Sequence, residues 1–246
     1  AKFNVTNLVT RTGVYFVNAT VNDVKYAPKV ATNMFTVVPR NTTLDVDVHD
    51  VTIWDKEYVN VTIMDADGNI ITDASGKVNI TINGVDYPVS IGDGVARFNT
   101  ADLVVGENIV NVFYSGDRNY VGNYSVAKFT VNQRVPKVNV TATNRSVDQD
   151  VTITVTIPVN ATGYVIITGN FTDKGIYVPQ SEFTNGVARV IVKDLANGTY
   201  SVHITYYGTE ADNYTIGVND TKFTVSKWDA TGFVVSADNI TYTDKT

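Results

Sequence analysis

The 246-residue chain contains no cysteine, which excludes a disulfide framework, a thiolate nucleophile and Cys-ligated zinc. Histidine occurs only as His49 and His203. Neither stands in a nucleophile or metal-ligand pattern, and no Gly-x-Ser-x-Gly elbow is present. Paired carboxylates such as Asp45 with Asp47, or Asp65 with Asp67, lie two residues apart on one strand face or turn, whereas a glycosidase pair must face across a cleft. No run of about 20 apolar residues exists, so no membrane insertion is expected within this segment. The first residues lack the charged-then-apolar pattern of an export signal, and any such signal or anchor is expected outside this segment. Charge is sparse at 18% with a net value of −6, which disfavours non-specific binding to nucleic acid or anionic lipid. The chain is therefore expected not to be an enzyme, with no catalytic residue, no cofactor and no metal.

What the sequence does contain is itself, repeated. Met34-Phe35-Thr36-Val37, Lys128-Phe129-Thr130-Val131 and Lys222-Phe223-Thr224-Val225 place Phe at steps of 94 residues, about the size of one β-sandwich module. Tyr26, Tyr120 and Tyr214 keep the same step. Gly94-Val95-Ala96-Arg97 returns as Gly186-Val187-Ala188-Arg189, and Tyr114-Ser115-Gly116 as Tyr206-Tyr207-Gly208. On this register residues 1–39 are the C-terminal part of one repeat, 40–133 and 134–227 are complete repeats, and 228–246 open another. The two partial ends together fall well short of one module, so head-to-tail completion between copies does not add up and a window onto a longer array is favoured.

The elements read as strands. Val59, Val61 and Ile63 alternate with Asn60 and Thr62, and Val78, Ile80 and Ile82 with Asn79 and Thr81, the period of strands buried on one face. Asp67-Gly68-Asn69, Asn83-Gly84, Gly92-Asp93-Gly94 and Ser115-Gly116-Asp117 read as turns. No stretch has a helical period. Leu195-Ala196-Asn197-Gly198-Thr199-Tyr200 has the spacing of a tyrosine corner, and Gly13-Val14-Tyr15 its remnant. Asn108 stands where the second repeat would place that tyrosine, so the corner is replaced or missing there.

The order Asp65-Ala66-Asp67-Gly68-Asn69, Ser75-Gly76-Lys77-Val78-Asn79-Ile80-Thr81, Gly94-Val95-Ala96-Arg97-Phe98 and Tyr114-Ser115-Gly116-Asp117-Arg118-Asn119-Tyr120 resembles the bacterial-type immunoglobulin-like repeats of adhesin-like cell-surface proteins. The Asn, Thr and Val content looks most like those of methanogenic archaea. The third repeat departs from the pattern at residues 158–163 and 209–212. The resemblance implies an extracellular spacer or adhesive stalk and brings no catalytic residues.

Asn-x-Ser/Thr occurs at Asn4, Asn18, Asn41, Asn60, Asn79, Asn123, Asn139, Asn144, Asn160, Asn170, Asn197, Asn213, Asn219 and Asn239, fourteen of the 25 asparagines. These are candidate glycan acceptors. Strand alternation alone raises the count, since Asn and Thr two apart both point to water. Loop sites such as Asn160, Asn197 and Asn213 are therefore favoured. Asp65-Ala66-Asp67-Gly68-Asn69 offers oxygens at alternate positions, yet Gly76 stands where a calcium loop needs Glu, so a hairpin turn is the simpler reading. A Lys–Asn crosslink through Lys56, Lys77 or Lys128, with asparagines such as Asn111, is weighed against alternation that turns Lys128 outward. Tyr114, Tyr120, Tyr206, Tyr207 and Tyr214 gather near the late loops. They are either ligand-contact aromatics or packing residues.

The expected architecture is all-β: tandem immunoglobulin-like β-sandwich domains in an extended rod, joined by short Pro-bearing linkers. The expected role is an extracellular, cell-surface stalk or filament shaft. Its expected partners are other surface proteins, glycans or further copies of itself. The alternatives are a carbohydrate- or protein-binding module using the Tyr-rich loops, and a strand-exchanging filament subunit.

Overall fold

The structure, a computed structural model, describes residues 2, 4–6, 8, 10, 13–209 and 213–237. Among them there is no α-helix, and the chain divides into two compact units, Ala1–Gln133 and Arg134–Thr246. The first unit opens with a hairpin of β1 (Tyr15–Asp23) and β2 (Tyr26–Phe35). There follow β3 (Thr43–Asp47), β4 (Val51–Thr52), β5 (Glu57–Met64), β6 (Lys77–Ile82), β7 (Val85–Ser90), β8 (Val95–Thr100), β9 (Gly106–Gly116) and β10 (Val121–Asn132). They form a sandwich of a three-stranded sheet, β3-β5-β8, and a five-stranded sheet, β4-β10-β9-β6-β7.

The second unit contains β11 (Asn139–Ala142), β12 (Arg145–Ser146), β13 (Val151–Thr156), β14 (Tyr164–Gly169), β15 (Thr172–Val178), β16 (Val187–Val192), β17 (Gly198–Tyr207) and β18 (Gly217–Ser226). Its sheets are β11-β13-β16 and β12-β18-β17-β14-β15, the same order strand for strand. Each unit therefore contains an immunoglobulin-like sandwich.

Alternation sets both cores. Val59, Val61, Ile63, Val78 and Ile80 are fully buried in one, and Val151, Ile153, Val155, Val165 and Ile167 in the other. Each such side chain contributes about 1.5–3 kcal/mol on burial. The first strand of each sandwich is split between sheets: β3 pairs antiparallel with β5, and then β4 pairs parallel with β10, as β12 does with β18. One short side chain secures each crossing, because Asp50 Oδ1 accepts from Thr130 N at 2.6 Å and Asn144 Oδ1 from Thr224 N at 2.8 Å. Glu57, only 2% exposed, lies under the first crossing, and its Oε1 accepts from His49 N at 2.7 Å.

The turns need left-handed backbone. Asp93-Gly94 has φ of 51° and 77°, and Asn185-Gly186 of 52° and 76°, the paired positive values of a type I′ turn. A Cβ on Gly94 or Gly186 would strike the carbonyl oxygen of Ile71 or Ile157.

The corner positions are filled in three ways. Tyr200 Oη donates to Ala196 O at 2.8 Å, and its ring stacks on Phe223 with centroids 5.2 Å apart. Asn108 replaces it in the first sandwich: its Nδ2 donates to Val104 O at 2.8 Å and Gly106 O at 3.0 Å, while Asn83 Nδ2 donates to its Oδ1 at 2.7 Å. In the hairpin Tyr15 stacks on Phe35 with centroids 5.4 Å apart, as Tyr200 does on Phe223. The whole of β2 is exposed. Residues 227–237 form no strand, and 238–246 lie outside the described residues.

Candidate functional site

The Tyr-rich loop reading meets a correction at four of its five residues. Tyr114 and Tyr206 are completely buried, and Tyr120 and Tyr214 are 8% exposed. These rings sit on inward-facing positions at strand ends and fill the sandwich cores, leaving no ring face for a ligand. Tyr120 Oη donates to Asp73 Oδ1 at 2.6 Å and Tyr214 Oη to Asn160 Oδ1 at 3.0 Å. The bond to the Asp73 carboxylate, with burial, pushes the Tyr120 phenol up to about 12. Burial, with the Asp117 charge beside it, pushes Tyr114 up to about 12 as well.

Tyr207 is different, because it points outward from β17. Directly across the sheet it faces Tyr164 on β14, with ring centroids 5.2 Å apart and planes 19° apart. Tyr177 on β15 closes on Tyr164 at 5.1 Å and is 62% exposed. Sheet register alone assembles this three-tyrosine row. The matching positions of the first sandwich hold Lys77, Pro88 and Ser115, so the row belongs to the second unit only.

On the same face His203 Nδ1 meets Asp220 Oδ1 at 2.8 Å, and His203 Nε2 meets Thr205 Oγ1 at 3.2 Å. Hydroxyl, imidazole and carboxylate thus stand in the order used for acyl transfer. That chemistry also needs backbone N–H groups aimed at a developing oxyanion. Here β17 is a central strand whose N–H groups are spent on β14 and β18. The arrangement suits hydrogen bonding to a polar ligand beside aromatic rings.

The acidic turn of the first unit is a cap. Asp65 Oδ1 accepts from Asn69 N at 2.9 Å and Asp67 N at 3.0 Å, and Oδ2 faces Arg40 at 3.2 Å. The Asn69 backbone bond, outweighing burial, holds its carboxyl below the ordinary range with help from Asp67 and Arg40. Burial pulls Asp117 upward, but bonds from Asn119, Ser75 and Tyr120 outweigh it and leave the carboxyl low. Donors converge on these oxygens, which a cation would have to displace. Among the described residues no group of three or more His, Asp or Glu is placed to hold a metal. Lys56, Lys77 and Lys128 are exposed, and Lys128 Nζ pairs with Glu107 at 3.1 Å, so none of the three lies in the core beside an asparagine. A hollow of about 600 Å³ lies where Arg118 Nε donates to Thr10 O at 2.9 Å, and Arg118 is the one charged residue in its described lining.

Of the fourteen candidate acceptors, Asn239 lies outside the described residues. Asn4, Asn18, Asn41, Asn139, Asn144, Asn160, Asn170 and Asn197 are exposed, and Asn60, Asn79, Asn123, Asn213 and Asn219 are half-buried. None is buried. The one buried asparagine among the described residues is Asn108, which is not in a sequon.

No family model and no curated protein matches the chain. Solved structures similar to it include a two-domain fibronectin type III segment of chicken tenascin, 14% identical, covering 75% of this chain and 99% of that one, with a TM-score of 0.41. The titin domains z1z2 in complex with telethonin are 14% identical, with 78% and 98% covered and a TM-score of 0.41. The Yersinia pseudotuberculosis adhesin InvE is 17% identical, with 80% and 65% covered and a TM-score of 0.33. Likenesses this distant carry no functional argument.

Proposed function

We propose that this chain is part of an extracellular, N-glycosylated surface protein in which tandem immunoglobulin-like sandwiches act as a structural or adhesive stalk. The observation that carries the reading is the placement of the sequons: all thirteen described acceptors reach solvent at least in part, and the buried asparagine is outside the set. Glycans on such positions solvate the surface and shield it from proteases without touching either core. The affinity with surface repeats of methanogenic archaea rests on the Asn, Thr and Val content and belongs to this proposal. So do the extended rod and the absence of catalytic activity. Intact mass and glycopeptide mapping on protein from its native source test the reading: sugar at several sequons is the expected result, and an unmodified mass refutes it. Small-angle scattering tests the rod, which predicts a maximum dimension growing by roughly 35–40 Å per repeat, from about ten residues per strand at about 3.3 Å each plus the turns at the sandwich ends.

The second reading is a carbohydrate- or protein-binding module, and a specific feature favours it: the outward Tyr164, Tyr177 and Tyr207 row beside His203 and Asp220 on one unit only. A binding face predicts that Tyr177→Ala abolishes ligand-induced shifts in a saccharide titration followed by NMR, with the fold intact. The strand-exchange alternative draws its support from the exposed hairpin β1–β2.

A further inference from the structure

We infer that the folded chain accepts N-glycans at Asn41, Asn139 and Asn197 and refuses them at Asn123, Asn170 and Asn219. The inference rests on the glycoprotein reading and goes beyond it by naming the sites. In the transfer, a new bond joins the anomeric carbon of a polyprenyl-diphosphate-linked glycan to the acceptor Nδ2. The carbon–oxygen bond to the diphosphate breaks, the diphosphate leaves with its electron pair, and Nδ2 gives up one proton to base. The acceptor nitrogen must therefore be presented to an external transferase, free of other engagement.

At three sequons it is already engaged. Asn123 Nδ2 donates to Thr42 O, Asn219 Nδ2 to Val138 O at 3.0 Å, and Asn170 Nδ2 to Thr199 O at 3.2 Å. The first two are one repeated latch, tying the last long strand of each sandwich to the start of its first strand. Both asparagines are half-buried within β10 and β18, where ladder bonds hold the sequon extended. Asn170 is held from both ends of its amide, since Oδ1 also accepts from Ser201 N at 2.8 Å.

Asn41, Asn139 and Asn197 differ at the acceptor nitrogen itself. Each is exposed, its amide makes no side-chain hydrogen bond among the described residues, and the sequon hydroxyls Thr43, Thr141 and Thr199 are exposed too. Asn41 and Asn197 lie in loops ahead of β3 and β17, and Asn139 is the first residue of the edge strand β11. Of the Asn197 sequon only Gly198 and Thr199 enter the central strand β17, at its first two positions.

The test uses the full, folded, unglycosylated chain with a purified single-subunit oligosaccharyltransferase that reads Asn-x-Ser/Thr, a lipid-linked oligosaccharide donor, and glycopeptide mapping. Occupancy at Asn41, Asn139 and Asn197 at least tenfold above that at Asn123, Asn170 and Asn219 is expected, and heat-unfolding the acceptor should erase the difference. Equal occupancy in the folded chain, or preference for the latch sites, overturns the inference, as does a folded chain that takes no sugar while the unfolded one does. Mapping of the native protein separates the two claims. Sugar on the latch asparagines sinks this inference alone, whereas sugar nowhere sinks the glycoprotein reading with it.

Discussion

Asn108 and Tyr200 occupy one position in two sandwiches and tie down the same loop by different chemistry. Both donate to the carbonyl four residues upstream, Val104 or Ala196, at 2.8 Å. Tyr200 is half-exposed, so Tyr200→Phe should cost about 1 kcal/mol in chemical denaturation, the net value of one hydrogen bond. Asn108 is fully buried and also satisfies Gly106 O and Asn83 Nδ2. Asn108→Ala should therefore cost more, about 2–3 kcal/mol, because it strands buried partners. The corner in the third repeat is legible from Leu195 to Tyr200, whereas in the second the sequence places Asn108 at the tyrosine position and leaves open whether the corner is replaced or missing. At acid pH, Asp65 and Asp117 contribute to the response, because hydrogen bonds hold their folded carboxyls below the ordinary Asp value of about 3.9. Their stabilisation is full above that value and lost as pH falls through the lower folded values. The melting midpoint should hold down to about pH 4 and then fall, and Asp117→Asn should flatten the fall. Tyr114 and Tyr120, both near 12, should ionise well above the ordinary tyrosine value of about 10 in an ultraviolet titration.

Strand positions were legible wherever one face of an element is buried, since the period-two pattern of residues 59–63 and 78–82 is imposed by that burial. The split first strand was not. β4 and β12 span two residues each, too short for any period, and their place depends on a parallel partner far along the chain. The tyrosine loops failed for a related reason, because sequence gave their neighbourhood but not their inward phase at the strand ends. The outward row of Tyr164, Tyr177 and Tyr207 and the Asp220–His203–Thr205 chain exist only through sheet register. Turn chemistry, by contrast, reads directly. Gly186, at φ 76° with its missing Cβ against Ile157 O, predicts that Gly186→Ala is destabilising by about 2 kcal/mol or more, from left-handed strain plus the clash. For a domain this size that is a fall of about 10 °C in Tm by calorimetry, whereas Gly84→Ala, with nothing within 4 Å, should lose only the conformational part.

At the scale of the molecule, the repeat implies that one folding unit is written twice, and the cores agree. The buried set from Ile53 to Val131 and that from Val138 to Val225 share no residue. A sandwich of about 94 residues buries enough surface to fold without disulfides, which the absence of cysteine requires. The fragment 134–227 should thus fold alone, unfold in a single cooperative step, and have a stability within the usual range of about 5–15 kcal/mol. Circular dichroism and calorimetry on that fragment decide it: coincident transitions by both probes are expected. A broad, non-cooperative melt would mean that the buried sets do not each suffice, and the reading of the chain as an array of self-contained modules would fall. The hairpin β1–β2 supplies the opposite control. It carries the Tyr15–Phe35 stack of a corner but, among the described residues, none of the strands that cover the equivalent β17–β18 pair. A two-stranded ribbon is marginal in water, so its amides should exchange with solvent far faster than those of β17 and β18. Equal protection would require a cover that the hairpin's exposed residues do not have.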